Sequence, residues 1–170
     1  MRVWLNIDLG ELDQEPEELY QVANIANVAC GGHAGDASSM LRACQLARSA
    51  RTLVYAHPSY PDRETFGRVS LKQIPLTELQ RALRQQLEAL CVAAGSAQVA
   101  IDGVKPHGAL YHDCSTDPKW ARCLLDCVST VFGRALTIVG AGASALEAEA
   151  RAGRHPFLRE AFADRGYDAR

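Results

Sequence analysis

The sequence lacks any apolar run long enough to cross a membrane, and its charge has no dominant sign. A spanning helix needs about 20 apolar residues, and no stretch of the chain approaches that length. The amino terminus also lacks the charged and apolar segments of a secretory signal. The formal net charge is −2, and interleaved acids and bases give no one-sided field for nucleic acid. We therefore expect a cytoplasmic protein that binds neither membranes nor nucleic acid.

The chain has six cysteines, but they do not indicate a disulfide framework. Disulfide-rich domains are usually short and secreted, whereas 170 residues suffice for a hydrophobic core. Cys123 and Cys127 lie one helical turn apart, which would suit a metal, but no second ligand pair accompanies them. We predict reduced, buried thiols and one domain over residues 1–170.

Short apolar runs alternate with helical patterns, which predicts an α/β fold with about six parallel strands. The predicted strands cover residues 3–7, 24–29, 52–56, 99–105, 135–139 and 158–163. The predicted helices cover residues 15–22, 37–49, 76–94, 118–131 and 143–152. The helix over 76–94 has the clearest pattern, since its leucines repeat at the spacing of a core-facing helix. A regular barrel has more strands, so closure would need a smaller barrel or a segment from outside the chain.

Polar motifs follow the predicted strands and bring candidate catalytic groups to their ends. The motifs are NIDLGE at 6–11, CGGHAGD at 30–36, AHPSYPD at 56–62 and KPHGALY at 105–111. In βα units, the residues that follow the strands share the carboxyl edge of the sheet. We therefore expect these motifs to build one site.

The first two motifs supply carboxylates and a histidine. Asp8 and Glu11 flank a tight turn at Gly10, where they could share a proton, bind a cation or orient a water. The alternative is a turn aspartate beside a solvated glutamate. Glycines around His33 let the backbone approach a ligand closely. Asp36 is predicted to cap the next helix while facing the same space.

Two histidines share a context that favours a functional role. His57 and His107 each close an apolar strand and adjoin a proline, and imidazole serves as general acid, general base or metal ligand. The alternative for each is a satisfied core histidine. Lys105 lies on the same side of the strand as His107 and could hold an anion. His112 and His155 lack this context and are predicted to be surface residues.

Three further chemistries compete with this interpretation. Asp8, His57 and His107 could hold a divalent metal with an open position for water, but no HExxH or HxxxH motif requires one. The segment GAGASA at 140–145, with Asp164 after the next strand, mimics a dinucleotide-binding fingerprint. A serine or cysteine nucleophile has little support, since no GxSxG elbow occurs and no neighbour activates Cys30.

The motifs resemble those of the LamB/YcsF family of lactam-utilisation proteins. The resemblance covers nearly the whole chain, in LNIDLGE, ANIANVACGGHAGD, AHPSYPDRETFGR, VKPHGALY, IVGAGAS and EAFADRGYD. It implies an irregular, TIM-barrel-like (β/α) barrel of the glycoside hydrolase/deacetylase type. It also implies the A subunit of an ATP-dependent 5-oxoprolinase, which opens 5-oxo-L-proline to L-glutamate together with B and C subunits.

The resemblance also implies roles for residues of the polar motifs. The catalytic residues would be Asp8, His57 and His107. The substrate-binding residues would be Glu11, His33, Asp36, Asp62, Arg68, Lys105, Tyr111, Asp164 and Arg165. Either histidine would act as base toward water, Asp8 would orient it and Lys105 would hold the substrate carboxylate. ATP would activate the lactam carbonyl and be handled with the partners, since no Walker-type loop occurs. A divalent metal is permitted but not required.

Three departures from the family pattern leave alternatives open. Trp4 stands where the family usually has an aspartate, Gly32 stands where it usually has a phenylalanine, and the chain is short after FADRGYD. A truncated, non-catalytic binding or scaffold relative is therefore one alternative, and a metal-dependent deacetylase-like hydrolase is another. An incomplete barrel would expose apolar edges, so we expect a homodimer or a tight complex with the partner subunits.

Overall fold

The strands form one parallel sheet in which spatial order follows chain order. The structure is a computed structural model that describes residues 3–12, 14–163 and 166. Its strands are β1 (Asn6–Leu9), β2 (Ile25–Ala29), β3 (Leu53–His57), β4 (Ile101–Val104), β5 (Thr137–Ala141) and β6 (Phe157–Glu160). Each strand pairs in parallel with the next. In a parallel sheet of unbroken order, right-handed crossovers put the helices on one face. The sheet curls into a half-barrel, which confirms the expected irregular, incomplete (β/α) barrel.

Six helices accompany the strands within the described ranges. They are α1 (Glu18–Val22), α2 (Ala37–Ala50), α3 (Leu76–Ala97), α4 (Gly108–Thr116), α5 (Pro118–Phe132) and α6 (Ala145–Ala152). Helix α4, which begins directly after Pro106 and His107, was not predicted from the sequence. Its buried side includes the polar Asp113 beside Leu110, Tyr111 and Cys114, so apolar and polar residues do not separate into two clear faces, the pattern by which a surface helix is recognised in a sequence.

Several predicted boundaries were wrong for local reasons. β1 begins at Asn6, where its pairing with Ile25 starts, and the apolar residues before it are exposed. α1 begins three residues after Glu15, whose carboxylate accepts the N–H groups of Gly10 and Glu11 at 2.7 and 2.8 Å. β6 ends at Glu160 instead of residue 163. At these positions, local hydrogen bonds and strand pairing decide where each element begins or ends, and the apolar pattern does not.

The main hydrophobic core lies between the helices and one face of the sheet. Leu79, Leu83, Leu87 and Leu90 of α3 are all fully buried, which confirms the predicted core-facing stripe. Burial of such a side chain contributes about 1.5 to 3 kcal/mol. Five of the six cysteines are buried with them, and all six are free thiols, as predicted.

The opposite, concave face of the sheet is only partly filled. Ile25, Tyr55 and Val139 form a small cluster there. Gly103 makes room for the Tyr55 ring, because a Cβ at position 103 would lie 2.3 Å from it. Beyond the cluster, a cavity of about 340 Å³ lies between the β1 and β6 sides of the sheet. Among the described residues β1 and β6 do not pair, so this side of the half-barrel is open.

His155 contradicts its predicted surface position. It is 5% exposed, and its Nδ1 lies 2.9 Å from the Leu136 carbonyl oxygen. The turn after α6 folds it inward, since its N–H donates to the Ala150 carbonyl. His112 is exposed, as predicted. Among the described residues, no helix combines the length and apolar character of a membrane span.

Candidate active site

The carboxyl ends of the strands bring the predicted polar groups together. Asp8 lies on β1, Glu11 follows it in a turn, and His33 lies in the loop after β2. His57 ends β3, and Lys105 and His107 follow β4. These residues are joined by direct hydrogen bonds or ion pairs. The predicted convergence is therefore confirmed for this set, which we call the strand-end cluster.

His57 and His107 form the centre of the strand-end cluster. His57 is 1% exposed, and its Nε2 lies 3.0 Å from His107 Nδ1. His57 Nδ1 lies 2.7 Å from the Lys105 carbonyl oxygen, and His107 Nε2 lies 3.0 Å from the Phe66 carbonyl oxygen. A carbonyl oxygen only accepts, so each of these ring nitrogens carries the hydrogen. The two nitrogens that face each other are therefore the unprotonated ones in the neutral rings.

Glu11 and His33 close one side of the cluster. Glu11 Oε1 lies 2.9 Å from His33 Nε2, 3.6 Å from His107 Nδ1 and 3.9 Å from His57 Nε2. The His33 ring stacks on the His107 ring, with centroids 3.6 Å apart and planes 4° from parallel. His33 Nδ1 is buried and has no hydrogen-bond partner among the described residues. Glu11 is thus surrounded by three imidazole rings.

Lys105 ties β1 and β6 to the cluster. Its Nζ lies 2.9 Å from Asp8 Oδ1, 2.8 Å from Glu160 Oε1 and 3.1 Å from Asn6 Oδ1. An ammonium group has three N–H donors, so each can meet one of these oxygens. Asn27 also donates to Asp8, at 2.9 Å. Lys105 therefore joins the carboxyl end of β4 to β1 and to the carboxyl end of β6.

Burial and neighbouring charges set the protonation states of the cluster. Burial opposes ionisation of Asp8. The positive charges of protonated His57 and of the Lys105 ammonium outweigh this effect and hold the pKa of Asp8 well below its usual range. Burial likewise opposes ionisation of Glu11, whose pKa is lowered by His33, His57 and His107. Burial, reinforced by repulsion between the histidines, lowers the pKa of His107 to about 4. Near neutral pH, carboxylates thus face a neutral His107.

The loop over residues 58–67 supports His107 from one side. Phe66, whose carbonyl binds His107, has a φ of 57°, an unusual conformation for a bulky residue that is tolerated where surrounding contacts hold it. Asp62 accepts the Thr65 N–H at 3.1 Å, and its carbonyl accepts the Gly67 N–H at 2.7 Å. A Cβ at Gly67 would lie 3.0 Å from His33. Asp62 thus shapes the loop instead of entering the cluster.

A cavity of about 160 Å³ opens beside the cluster. Asp8, His57, Lys105 and His107 line it, as does the predicted residue Tyr111 of α4. Phe162 adds a ring whose centroid is 6.0 Å from that of Tyr111. The cavity therefore gives a small molecule access to the histidine pair.

Not every predicted residue lies in the strand-end cluster. Asp36 caps α2 through the Ser39 N–H at 2.8 Å, as predicted, but borders a different cavity beside Arg42. Arg68 is exposed, with its guanidinium carbon 5.4 Å from the centre of the Phe66 ring. Asp164 and Arg165 lie outside the described residues.

Three further residues, which were not predicted from the sequence, hold the cluster together. Asn27 is fully buried and donates to Asn6 and Asp8 at 2.7 and 2.9 Å. Glu160, which pairs with Lys105, ends β6. Phe66 supplies the carbonyl that fixes His107. A buried asparagine in an otherwise apolar strand was the available signal for Asn27, and a carboxylate at a strand end was the signal for Glu160.

The position of Gly32 shows how a departure from the family pattern is accommodated. A Cβ there would lie 2.4 Å from both Gln86 Oε1 and Ser59 Oγ. The amide oxygen of Gln86 accepts the Ser59 N–H at 3.0 Å, and its amide nitrogen donates to the Ser59 carbonyl at 2.9 Å. Gln86, a residue of α3, therefore fills the space beside Gly32.

The GAGASA segment does not present a free phosphate-binding turn. Ser144 caps α6 by accepting the Glu147 N–H at 3.1 Å. Glu147 Oε2 accepts the Ala143 N–H at 2.9 Å, and its carboxylate is paired with Arg151 and Arg159. A carboxylate of the chain itself therefore occupies the place that a phosphate would take at this turn.

The fold and the cluster define a class of protein: a parallel (β/α) half-barrel with acids and histidines at the carboxyl ends of its strands. The sequence model of the LamB/YcsF family matches residues 3–170, and the chain belongs to that family.

Two individual relatives support the same family assignment. The chain is 39% identical over 166 residues to a protein of Histophilus somni (strain 129Pt) that is named as the A subunit of 5-oxoprolinase. That alignment covers 96% of this chain and 65% of the relative, so the chain spans just under two thirds of that curated protein. The structure is also similar to a crystal structure of a lactam utilization protein from Thermus thermophilus. The TM-score is 0.90 at 32% identity, and the match covers 98% of this chain and 69% of the other.

Proposed function

We propose that the chain is the A component of an ATP-dependent 5-oxoprolinase, which opens the lactam of 5-oxo-L-proline to L-glutamate. The observation that carries the proposal is the histidine pair, with Asp8 beside it, at the mouth of a cavity of about 160 Å³. The name of the relative from Histophilus somni supports the choice of substrate. A small cavity with buried titratable groups is a common arrangement in enzymes that act on small molecules.

The chemistry requires activation of both the lactam and the water. Amide resonance makes a lactam carbonyl a poor electrophile, and phosphorylation of the lactam oxygen by ATP would relieve this. The sequence has no Walker-type loop, so we assign ATP handling to the partner subunits. The pair of His57 and His107 would then act as base toward water, with Asp8 orienting it. Asp8 Oδ2 lies 3.4 Å from His57 Nε2, close enough to contact a water that meets both groups.

The contacts of Lys105 change the role suggested by the sequence. Its three donors already meet Asn6, Asp8 and Glu160, so binding a substrate carboxylate would require loss of an internal partner. We therefore assign Lys105 to positioning Asp8. Tyr111 lines the cavity and remains a proposed substrate-binding residue.

We also propose that the chain works in an assembly in the cytoplasm. The word "subunit" in the relative's name fits a complex, with B and C subunits as the proposed partners. Val3, Trp4, Leu5 and Leu158 are exposed at the open side of the half-barrel, at 78%, 41%, 49% and 38%. Apolar side chains at a sheet edge favour association, either with these partners or as a homodimer. A monodisperse monomer in light scattering of the isolated chain would argue against the homodimer.

Two other functions are tested alongside this one. A metal-dependent deacetylase-like hydrolase is favoured by the acid and histidine groups of the cluster. A non-catalytic binding module is favoured by the open concave face.

Glutamate formation from 5-oxoproline and ATP, measured with and without the B and C subunits, separates the proposed function from the binding module. Calorimetry of the isolated chain with 5-oxoproline measures whether the chain binds this compound without its partners. Glutamate formation that depends on this chain supports the proposal. Binding without any glutamate would instead identify a binding module.

A further inference from the structure

The starting observation is a short contact between two nitrogens that carry no hydrogen in the neutral rings. His57 Nε2 and His107 Nδ1 are 3.0 Å apart. The hydrogen of each ring is directed to a backbone carbonyl, of Lys105 and of Phe66 respectively. Two lone pairs at this distance repel unless a cation lies between or beside them. The contact therefore indicates a place for a positive charge.

A third ligand atom completes a triangle around that place. Glu11 Oε1 lies 3.6 Å from His107 Nδ1 and 3.9 Å from His57 Nε2. Ligands that share one ion at a bond length of about 2.1 Å are separated by roughly 3 to 4 Å. The three separations of 3.0, 3.6 and 3.9 Å all fall in this range. The planes of the two imidazoles are 90° apart, so their lone pairs can approach one point from different directions.

His33 belongs to the same group of side chains but is oriented differently. One of its ring nitrogens lies within 4.8 Å of the ligand atoms of the other three residues, but its ring is parallel to that of His107 at a centroid distance of 3.6 Å. Lone pairs in two stacked, parallel planes cannot both point at one ion. His33 instead contacts Glu11 Oε1 at 2.9 Å, which makes it a positioning residue for that carboxylate.

We propose that Glu11, His57 and His107 bind one divalent transition-metal ion, with zinc as the first candidate. Two imidazoles and a carboxylate form a known ligand set for such ions and leave a position for water. Metal-binding histidines usually donate their second N–H to a carbonyl or carboxylate, as both do here. The inference rests on the proposed function, because it specifies how the same site activates water. In the metal-bound form, His57 and His107 would contribute as ligands of the ion instead of as the base, the ion would supply the activation of water, and Asp8 would keep its role of orienting that water.

Metal binding by the full chain tests this assignment without an activity assay. The chain is stripped with a chelator, and Zn²⁺ is then titrated by calorimetry. We expect one ion per chain, and at least about tenfold weaker binding in Glu11→Gln and in His57→Ala. Glu88→Gln alters an exposed residue of α3 and should bind as the unchanged chain does. Circular dichroism confirms that each variant is folded, and Glu11→Gln preserves the shape of the side chain.

Cobalt provides a second readout that identifies the ligands. Co²⁺ bound by nitrogen and oxygen should give weak visible bands without the strong near-ultraviolet band of a cobalt thiolate. A thiolate band, no stoichiometric binding, or equal affinity in Glu11→Gln and His57→Ala would overturn the inference. Undiminished glutamate formation by the chelator-stripped chain with its partners would refute the metal site but leave the proposed function intact. Stoichiometric Zn²⁺ binding without glutamate formation would support the metal site but contradict the proposed function.

Discussion

His57 Nε2 faces His107 Nδ1 at 3.0 Å, although the two residues are 50 positions apart in the chain. Each ring is held from behind by a backbone carbonyl, so neither can turn away without losing a hydrogen bond. His57 ends β3, and His107 precedes α4 directly after β4. The contact is thus a product of parallel pairing between neighbouring strands, which places their carboxyl ends side by side.

Asp8→Asn should lower ATP-coupled glutamate formation by about 10². The amide keeps an oxygen for Asn27 and Lys105 but removes the negative charge beside His57. Steady-state rates with both partner subunits present measure the effect. Asp126→Asn makes the same change on an exposed residue of α5 and should retain the full rate. Equal rates for Asp8→Asn and Asp126→Asn would remove Asp8 from the mechanism.

Lys105→Met should lower the free energy of unfolding by about 3 kcal/mol or more. Its side chain is 6% exposed, and that of its partner Glu160 is 3% exposed, so the substitution leaves a buried carboxylate without its ion pair. Urea denaturation at neutral pH measures the change. Lys119→Met removes an exposed ammonium and should cost well under about 1 kcal/mol. An equally small loss of unfolding free energy in both variants would show that Lys105 does not anchor the ends of the strands.

Gly32→Ala should destabilise the protein by about 1 to 3 kcal/mol. The added methyl would lie 2.4 Å from Gln86 Oε1, so Gln86 must move and lose its hydrogen bonds to Ser59. Thermal denaturation of Gly32→Ala alone and in a Gln86→Ala background forms a double-mutant cycle. The loss of stability caused by the added methyl should be smaller when residue 86 is already alanine. The same cost in both backgrounds would show that Gln86 does not restrict this position.

Glu147→Gln should destabilise the protein at pH 7 but much less near pH 2. Hydrogen bonds from Arg159 and Arg151 lower the pKa of Glu147 from 4.5 to about 2. A carboxyl with a lowered folded-state pKa stabilises the fold above its unfolded-state pKa, and this contribution is lost as the pH falls through the folded-state value. The difference in urea midpoint from the unchanged chain should therefore shrink between about pH 4.5 and pH 2. Glu88→Gln, on an exposed face, provides the control. A difference in urea midpoint that stays constant with pH would contradict a stabilising role of the Glu147 carboxylate.

Much of the architecture could be predicted from the sequence because the strands and long helices carry strong periodic patterns. The leucine stripe of α3 and the N-cap at Asp36 are local features whose physical causes lie within a few residues. The convergence of Asp8, His57 and His107 followed from one rule, that parallel strands share a carboxyl edge. These predictions needed no knowledge of side-chain packing.

The remaining features depend on contacts between distant segments. The partners of Lys105 come from β1 and β6, and no local pattern relates those positions. The inward turn of His155 depends on a carbonyl 19 positions away. The tautomers of His57 and His107 are set by backbone carbonyls of other loops. Such pairings are decided by tertiary structure, so the sequence could name the candidate residues but not their geometry.

The central claim is that the histidine pair carries the hydrolysis of the lactam. The most direct test is the rate at which the chain, reconstituted with the B and C subunits, forms glutamate from 5-oxoproline and ATP before and after His107→Ala. With the fold retained by circular dichroism, we predict a fall of about 10² or more. An unchanged rate in the folded variant would contradict the account.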